Sequence, residues 1–245
     1  MEETKSSKIT TILKANFKEG DSIWLTSSYT LRKTVGVLGM ALPLLLVVFL
    51  YIDNGYLQPL ESLSHYYYTR VSGIFVATLS ILGIFLIIYK GKELVDLLVS
   101  SIAGIAVLLV ALFPTDNITD ICCDITKTYS VTFLPHSTFR EAFHYLSAGT
   151  FLSCLSYMSI FLFTKSDKSV IERGTMKIIR NRIYRICGIM IIIALAVIFL
   201  GGFFKLIPEG FYREHQITFW METLAVESFG FSWLVKGETL FQDKT

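Results

Sequence analysis

The chain has few charged residues and few cysteines. The first shortage is unusual for a soluble domain, and the second gives no support to a zinc-binding or disulfide-linked scaffold. Charged residues make up 17% of its 245 residues, whereas they make up about a quarter of an ordinary soluble domain. The net charge of +2 is too small to indicate a nucleic-acid-binding protein. The four cysteines show no C-x-x-C spacing, so neither a zinc knuckle nor a disulfide framework is predicted.

The short motifs of common enzyme families are also missing. The sequence contains no G-x-x-x-x-G-K-[ST], no G-x-G-x-x-G and no G-x-S-x-G, so nucleotide chemistry and a hydrolase nucleophile elbow are without support. It has four histidines, but none is spaced as H-x-x-x-H or H-E-x-x-H. The motifs therefore favour a protein that is not an enzyme, and they do not decide the question.

Long apolar runs are what the chain has instead. Hydrophobic residues make up 53% of it, and the mean hydropathy is +0.56. Six segments approach 20 residues, which is long enough at 1.5 Å per residue to cross a hydrocarbon core of about 30 Å. A helix satisfies its own backbone groups in lipid, so these segments are predicted to be helices. The expected fold class is an all-α, polytopic transmembrane bundle with spans at about 34–52, 71–89, 95–113, 142–164, 184–205 and 217–235.

The distribution of Lys and Arg predicts the orientation of this bundle. The tail before the first span, the 2–3 turn, the 4–5 loop and the C-terminus together hold 17 of the 22 Lys and Arg residues. Cytoplasmic loops carry such an excess. We therefore expect a multi-pass protein of the cell membrane with both termini cytoplasmic. Its domains are a tail at 1–33, a six-helix transmembrane domain at 34–236 and a tail at 237–245.

Ionisable residues then gather on the predicted extracytoplasmic side. All four histidines lie in that half, and Glu227 falls near the middle of the sixth span. A charge at that depth costs roughly 2.5–3.5 kcal/mol on insertion scales, so such a residue usually faces the bundle interior and has a partner. The alternative is that the sixth segment, which also carries Glu222, is an interfacial or re-entrant helix.

The stretch SHYYYTR at 64–70 allows two interpretations. Its three tyrosines precede the second span, where an aromatic belt at the membrane interface is the simpler explanation. The other interpretation is a pocket that opens to the outer leaflet and binds a lipid headgroup or small amphiphile, because Arg pairs bidentately with phosphate or carboxylate. The residues predicted to line this pocket are His65, Tyr66, Arg70, Asp116, Arg140, His144, Glu222 and Glu227.

Two functions of other classes compete with a lipid-binding protein. A metal-dependent membrane hydrolase of a lipid amide or ester would use His65, Asp116 and His144 as zinc ligands, because zinc prefers His nitrogen and carboxylate oxygen. A proton-coupled transporter would use Glu227 as its titrating group, but no internal repeat supports it. A nucleophilic pair of Ser64 and His65 is disfavoured, because sequence neighbours rarely meet in the geometry required.

Several segments resemble a known family. They are LRKTVGVLG, SHYYYT, IIYKGKE, ALFPTD, FLFTKSD with RNRIYRICG, and FGFSWLVKG. Together they resemble uncharacterised bacterial six-helix integral membrane proteins that are grouped loosely with the damage-regulated autophagy modulator (DRAM-like) proteins. This resemblance implies a six-helix membrane protein without an established activity and brings no functional residues. A more distant likeness to ceramidase-like membrane hydrolases depends on Glu61-x-x-Ser64 and His65, and the paired H-x-x-x-H of those enzymes is absent.

Overall fold

The protein is helical throughout the part that the computed structural model describes, which comprises residues 28–89, 91, 93–117, 130–166, 174–237 and 240–241. No strand occurs among these residues, and one isolated bridge joins Thr69 to Ser130. The long helices are α1 (Ser28–Asn54), α2 (Ser72–Ile88), α3 (Leu94–Leu112), α4 (Thr138–Tyr157), α5 (Thr175–Ile198) and α7 (Ile217–Lys236). A 3₁₀ helix (Leu63–Tyr68) precedes α2, and the short α6 (Glu209–Glu214) precedes α7. Single π-helical turns, Met158–Leu162 and Phe199–Phe203, extend α4 and α5.

Four of these helices are long and apolar enough to cross a membrane, which indicates a membrane protein. They are Thr30–Asn54, Leu94–Leu112, Thr138–Leu162 and Thr175–Phe203. The second predicted span is an apolar helix of only 17 residues, and the sixth is a helix that contains both glutamates. The predicted segments at 142–164 and 184–205 each end two residues beyond the observed helices, Thr138–Leu162 and Thr175–Phe203, and these helices begin earlier because the polar residues before the segments also adopt helical geometry.

Close glycine contacts hold the helices together in two groups. The α7 helix packs between α1 and α5, and α3 packs between α2 and α4. A Cβ atom built on Gly230 would lie 2.7 Å from the carbonyl oxygen of Gly36, so α7 and α1 approach through their glycines. A Cβ on Gly104 would lie within 2.6 Å of the carbonyl oxygen of Gly83, which gives α3 and α2 the same kind of contact. Small residues allow this approach between membrane helices.

An aromatic cluster fills the centre of the first group. Trp233 is fully buried, and its ring makes edge-to-face contacts with Tyr89, Phe163 and Phe229 at centroid distances of 4.9, 5.4 and 5.8 Å. Such pairs contribute about 0.5–1.5 kcal/mol beyond the area that they bury. The cluster therefore fixes the rotation of α7, which in turn decides where Glu222 and Glu227 point.

The bundle has two chemically different ends. The loop end is defined by the 3₁₀ helix, the end of α3 and the beginnings of α4 and α7, and it contains the hydrogen-bonded side-chain pairs Ser64–His144 and Ser62–Glu222. At the basic end, defined by the beginnings of α1 and α5 and the end of α7, four cationic side chains meet. The loop end contains most of the residues that the sequence singled out.

Candidate functional site

Glu222 anchors the 3₁₀ helix that contains the SHYYY stretch. Its Oε2 accepts hydrogen bonds from the Ser62 hydroxyl at 2.8 Å and from the Leu63 backbone N–H at 2.7 Å. Ser62 is also the N-cap residue, and its Oγ accepts a hydrogen bond from the Ser64 backbone N–H at 3.0 Å. One carboxylate and one hydroxyl thus satisfy the first N–H groups of this helix, which would otherwise lack partners.

The tyrosines of this stretch do not form a belt at the membrane interface, so that interpretation is wrong for two of the three. Tyr66 and Tyr68 are both 0% exposed, and Tyr67 is half-buried with its ring edge-to-face against Tyr68. The hydroxyl of Tyr68 donates to the carbonyl oxygen of Thr115, and that of Tyr66 accepts from the Leu60 N–H. Burial raises the pKa of Tyr66 and of Tyr68 to about 12, so both remain neutral hydrogen-bonding groups.

His144 and Ser64 form a buried hydrogen-bonded pair. Nδ1 of His144 lies 2.7 Å from the carbonyl oxygen of Phe113, and Nε2 lies 3.0 Å from the Ser64 hydroxyl. Because a carbonyl only accepts, the proton is on Nδ1, and Nε2 accepts the hydrogen bond that Ser64 donates. Exposure is 2% for His144 and 6% for Ser64. A serine, a base and a group that orients the base are therefore aligned as in nucleophilic catalysis.

His65 faces the interior of the loop end and not the lipid. Its Nδ1 is buried and has no hydrogen-bond partner among the described residues. Burial lowers the pKa of His65 to about 4, and the charge of Glu61 opposes this shift. The charges of Arg213 and Asp116 also act on the ring, so two charged groups of the loop end influence His65. The imidazole is consequently neutral at physiological pH, and one of its ring nitrogens has no hydrogen-bond partner in the part of the chain that the structure describes.

The first of these charged groups is the pair formed by Glu61 and Arg213. Nη2 of Arg213 donates to Oε1 of Glu61 at 3.1 Å and so connects α6 to the segment before the 3₁₀ helix. Both side chains are partly exposed, so the pair adds little to stability and mainly sets the local charge.

The second charged group surrounds Asp116. His136 Nδ1 lies 3.0 Å from Oδ2 of Asp116, and the Tyr145 hydroxyl donates to Glu141 at 3.1 Å. Asp116, His136 and Glu141 each offer an atom within 4.8 Å of the others, so this trio is where a divalent cation could be held. The sequence-predicted trio of His65, Asp116 and His144 differs from it, because His144 uses both ring nitrogens in other contacts.

Arg140 connects the loops around Asp116 at the loop end. Its Nε donates to the carbonyl oxygen of Pro114 at 3.2 Å, and its Nη1 donates to that of Pro135 at 2.9 Å. Its Nη2 is buried, lies 3.8 Å from Oδ1 of Asp116, and has no hydrogen-bond partner among the described residues. Two of its nitrogens therefore hold loops, while the third points toward Asp116.

The other two predicted pocket residues lie elsewhere. The side chain of Arg70 is 71% exposed and lies 3.9 Å from Asp53. Glu227 is half-buried, and no hydrogen bond or ion pair joins it to the rest of the described chain. Six predicted residues thus belong to the loop end: His65, Tyr66, Asp116, Arg140, His144 and Glu222.

Sequence reasoning missed Ser62, Ser64 as the partner of His144, and His136 as the partner of Asp116. The only sequence signal for the Asp116–His136 pair was the prediction that all four histidines lie on the extracytoplasmic side. A small cavity lies at the basic end, between α1, α5 and α7.

Comparison with known proteins gave no match, whether with family models, with curated proteins or with solved structures. The resemblances drawn from sequence segments therefore stay predictions.

Proposed function

We propose that this chain is an integral membrane protein with six spanning helices and cytoplasmic termini, and that its loop end binds the anionic headgroup of a lipid or other small amphiphile. The binding is supported by one observation. Two buried side-chain nitrogens, His65 Nδ1 and Arg140 Nη2, have no hydrogen-bond partner among the described residues; Asp116 lies 3.8 Å from Arg140 Nη2, and its charge also acts on the ring of His65. No cofactor and no nucleic acid takes part in this proposal.

Unsatisfied nitrogens favour a polar ligand for energetic reasons. A buried donor without a partner costs about 1–3 kcal/mol, and more for a charged group, so an oxygen-rich ligand gains that energy on binding. The guanidinium of Arg140 suits a phosphate or carboxylate oxygen, and the neutral imidazole of His65 can donate or accept beside it. Asp116 repels an anion but also keeps Arg140 in place at 3.8 Å.

Lipid titration tests the binding. Purified protein in detergent is titrated with dioctanoyl phosphatidylglycerol, and native mass spectrometry counts the lipids bound to wild type, Arg140→Gln and His65→Ala. We expect each variant to lose one tightly bound lipid. Arg70→Gln is the matched control, because Arg70 is an exposed cation on the same side and should leave the count unchanged. Equal counts in wild type and Arg140→Gln would contradict the proposal.

Reporter fusions test the six-span topology. Alkaline phosphatase fused after Gly55 is expected to be active, because the 1–2 loop is extracytoplasmic in this topology. Green fluorescent protein fused after Gly237 is expected to fluoresce, because the C-terminus is cytoplasmic. The reverse pattern would show the opposite orientation, and a signal on the same side from both fusions would show an even number of spans, or none, between them.

A second candidate, a hydrolase of lipid esters or amides, is supported by the Ser64–His144 hydrogen bond alone. Ser64 Oγ would bond to the substrate carbonyl carbon while its proton passes to His144 Nε2. His144 would then give that proton to the departing alcohol or amine, and water would release the acyl group by the same route. The Phe113 carbonyl oxygen would hold the imidazole in the required tautomer.

A fluorophosphonate probe distinguishes this candidate from binding alone. Labelling of wild type that disappears in Ser64→Ala and falls in His144→Ala would support a hydrolase. If the folded wild-type protein takes up no label, the hydrolase candidate is rejected. Metal analysis of the same sample, compared with His136→Ala, tests a zinc-dependent version at Asp116, His136 and Glu141.

A further inference from the structure

A cluster of apolar side chains is exposed where α5 ends and α6 begins. The rings of Phe199 and Phe203 are stacked with their centres 5.4 Å apart, and Phe204 makes edge-to-face contacts with them at 5.0 and 5.4 Å. All three residues are more than half exposed, and so are Leu206 and Phe211. We call these five residues the apolar patch. Because three of its rings pack against each other, the patch is one ordered surface and not a scatter of single side chains.

The apolar patch lies at the membrane boundary of a spanning α5. No charged residue occurs in the run 186–204, which extends about 28 Å as a helix and so nearly fills a hydrocarbon core of about 30 Å. The next residue, Lys205, is exposed and pairs with Glu209 at 3.2 Å. A charged pair thus borders the patch on the side away from the apolar run, which is the level where acyl chains meet headgroups.

The α6 helix connects the apolar patch to the loop end. The ring of Tyr212 packs so closely on Gly201 that a Cβ atom there would overlap it, and the Tyr212 hydroxyl accepts a hydrogen bond from Thr218 at 3.0 Å, at the beginning of α7. The neighbouring Arg213 donates to Glu61 at 3.1 Å, in the segment that leads into the 3₁₀ helix. One side of α6 therefore contacts the patch, and the other side contacts the loop end.

We propose that the apolar patch binds an acyl chain of the amphiphile whose anionic headgroup is held at the loop end. The ligand class is then a lipid with at least one long chain, and not a water-soluble anion. This inference rests on the function proposed above. The charges of Glu61 and Arg213 act on the ring of His65, so α6 lies close to one of the two nitrogens that border the headgroup. A chain that leaves the headgroup over α6 reaches the patch.

The chemistry of the patch favours an acyl chain over a polar partner. None of its five side chains carries a hydrogen-bonding group, so contact with it is a matter of apolar packing. Dispersion contacts are individually small, and a long chain makes many of them. Rings that already hold each other in place lose little further freedom when a chain lies on them.

The test compares a lipid with its headgroup alone. Purified protein in detergent is titrated with palmitoyl-oleoyl phosphatidylglycerol and, separately, with glycerophosphoglycerol, which has the same headgroup phosphate and no acyl chain. Native mass spectrometry measures both dissociation constants. We expect the lipid to bind about tenfold more tightly or better, because only the lipid adds contacts along a chain.

Phe203→Ser/Phe211→Ser removes two exposed rings of the patch, so this variant should fold. Its affinity for the lipid should fall about fivefold or more, since the chain loses its packing surface, and its affinity for glycerophosphoglycerol should stay unchanged. Phe161→Ser/Ile178→Ser is the matched control. It removes two exposed apolar side chains from the opposite ends of α4 and α5, far from the loop end, and should keep wild-type affinity for both probes.

The acyl-chain site and the headgroup site can fail separately. Equal affinities of the wild type for lipid and headgroup, or an equal loss of lipid affinity in both double variants, would overturn the acyl-chain site and leave the headgroup site standing. Binding of neither probe would overturn both. A dimer that only Phe203→Ser/Phe211→Ser dissociates would identify the patch as an interface between two copies, and would also overturn the acyl-chain site. Arg140→Gln should weaken binding of both probes, whereas the patch variant weakens that of the lipid alone.

Discussion

The hydroxyl of Ser64 lies 3.0 Å from Nε2 of His144, although the two residues are 80 positions apart in the chain. This hydrogen bond joins the 3₁₀ helix to α4, and the bond from His144 Nδ1 to the Phe113 carbonyl oxygen extends the connection to the end of α3. Three segments of the loop end thus depend on one imidazole. The contact can be tested for its effect on stability whether or not the protein is an enzyme.

Ser64→Ala removes the donor to His144 and leaves a buried ring nitrogen without a partner. We expect the free energy of unfolding to fall by about 1–3 kcal/mol, which is the cost of an unsatisfied buried group. Denaturant or thermal unfolding in detergent measures it. Ser153→Ala is the control, because Ser153 is an exposed serine of α4 and its loss should have no measurable effect. Equal stability of the two variants would show that the Ser64–His144 contact contributes nothing.

His65 predicts a dependence of stability on pH. Its pKa is about 4 in the folded protein and 6.5 in the unfolded chain, so the unfolded chain binds more protons between these values. Stability is therefore complete above pH 6.5 and falls as the pH decreases toward 4, by at most about 1.4 kcal/mol per pH unit. The His65→Gln variant, which cannot titrate, should lose less stability over the same range. Parallel melting curves of the two proteins would contradict the burial of His65.

Gly230→Ala should weaken the packing of α7 against α1. The added Cβ would lie 2.6 Å from Met40 Cγ and 2.7 Å from the Gly36 carbonyl oxygen, so the helices must move apart. We expect a loss of about 1–3 kcal/mol, which is typical of overpacking. Gly149→Ala in α4 is the matched control because nothing lies within 4 Å of its Cβ, and it should gain about 0.5–1 kcal/mol from helix propensity. A comparison of unfolding midpoints decides the matter, and a stabilised Gly230→Ala variant would refute this packing.

Glu222→Ala should release the 3₁₀ helix at its N-terminus. The carboxylate accepts both the Ser62 hydroxyl and the Leu63 N–H, and without it these donors lose their partner. Hydrogen–deuterium exchange of residues 62–68 should become faster by about tenfold or more, as expected for the loss of about 1.5–3 kcal/mol of charged hydrogen bonding. Glu227→Ala, in the same helix but without a bond to a described residue, should leave that exchange unchanged. Similar exchange in both variants would argue against the anchoring role of Glu222.

Residue positions along the chain were enough to predict the long helices. The predicted segments 71–89 and 217–235 differ by at most one residue at each end from the helices Ser72–Ile88 and Ile217–Lys236. Helix α4 begins earlier than its apolar segment, because Ser137 caps it by accepting the Arg140 N–H at 3.3 Å. Apolar length predicts where a helix can be buried, whereas capping decides where it begins.

The tyrosines show why side-chain environments were harder to predict. A Tyr triplet before an apolar segment is typical of the membrane interface, yet Tyr66 and Tyr68 are buried because the 3₁₀ helix packs onto the end of α3 and the beginning of α7. Nothing local in SHYYYTR distinguishes these two arrangements. The contact of Tyr68 with Thr115 depends on a segment 47 residues away.

The sequence by itself determined that the chain is helical, apolar and charged asymmetrically, because these properties follow from composition and from the length of its apolar runs. The tertiary structure alone decided that Ser64 meets His144, that Asp116 meets His136, and that Lys177 and Lys236 border the same cavity. Each of these contacts depends on how far separate helices are shifted along their axes and how they are rotated about them. Glycine contacts and the aromatic cluster around Trp233 set those two quantities, and they act between segments that are distant in the chain.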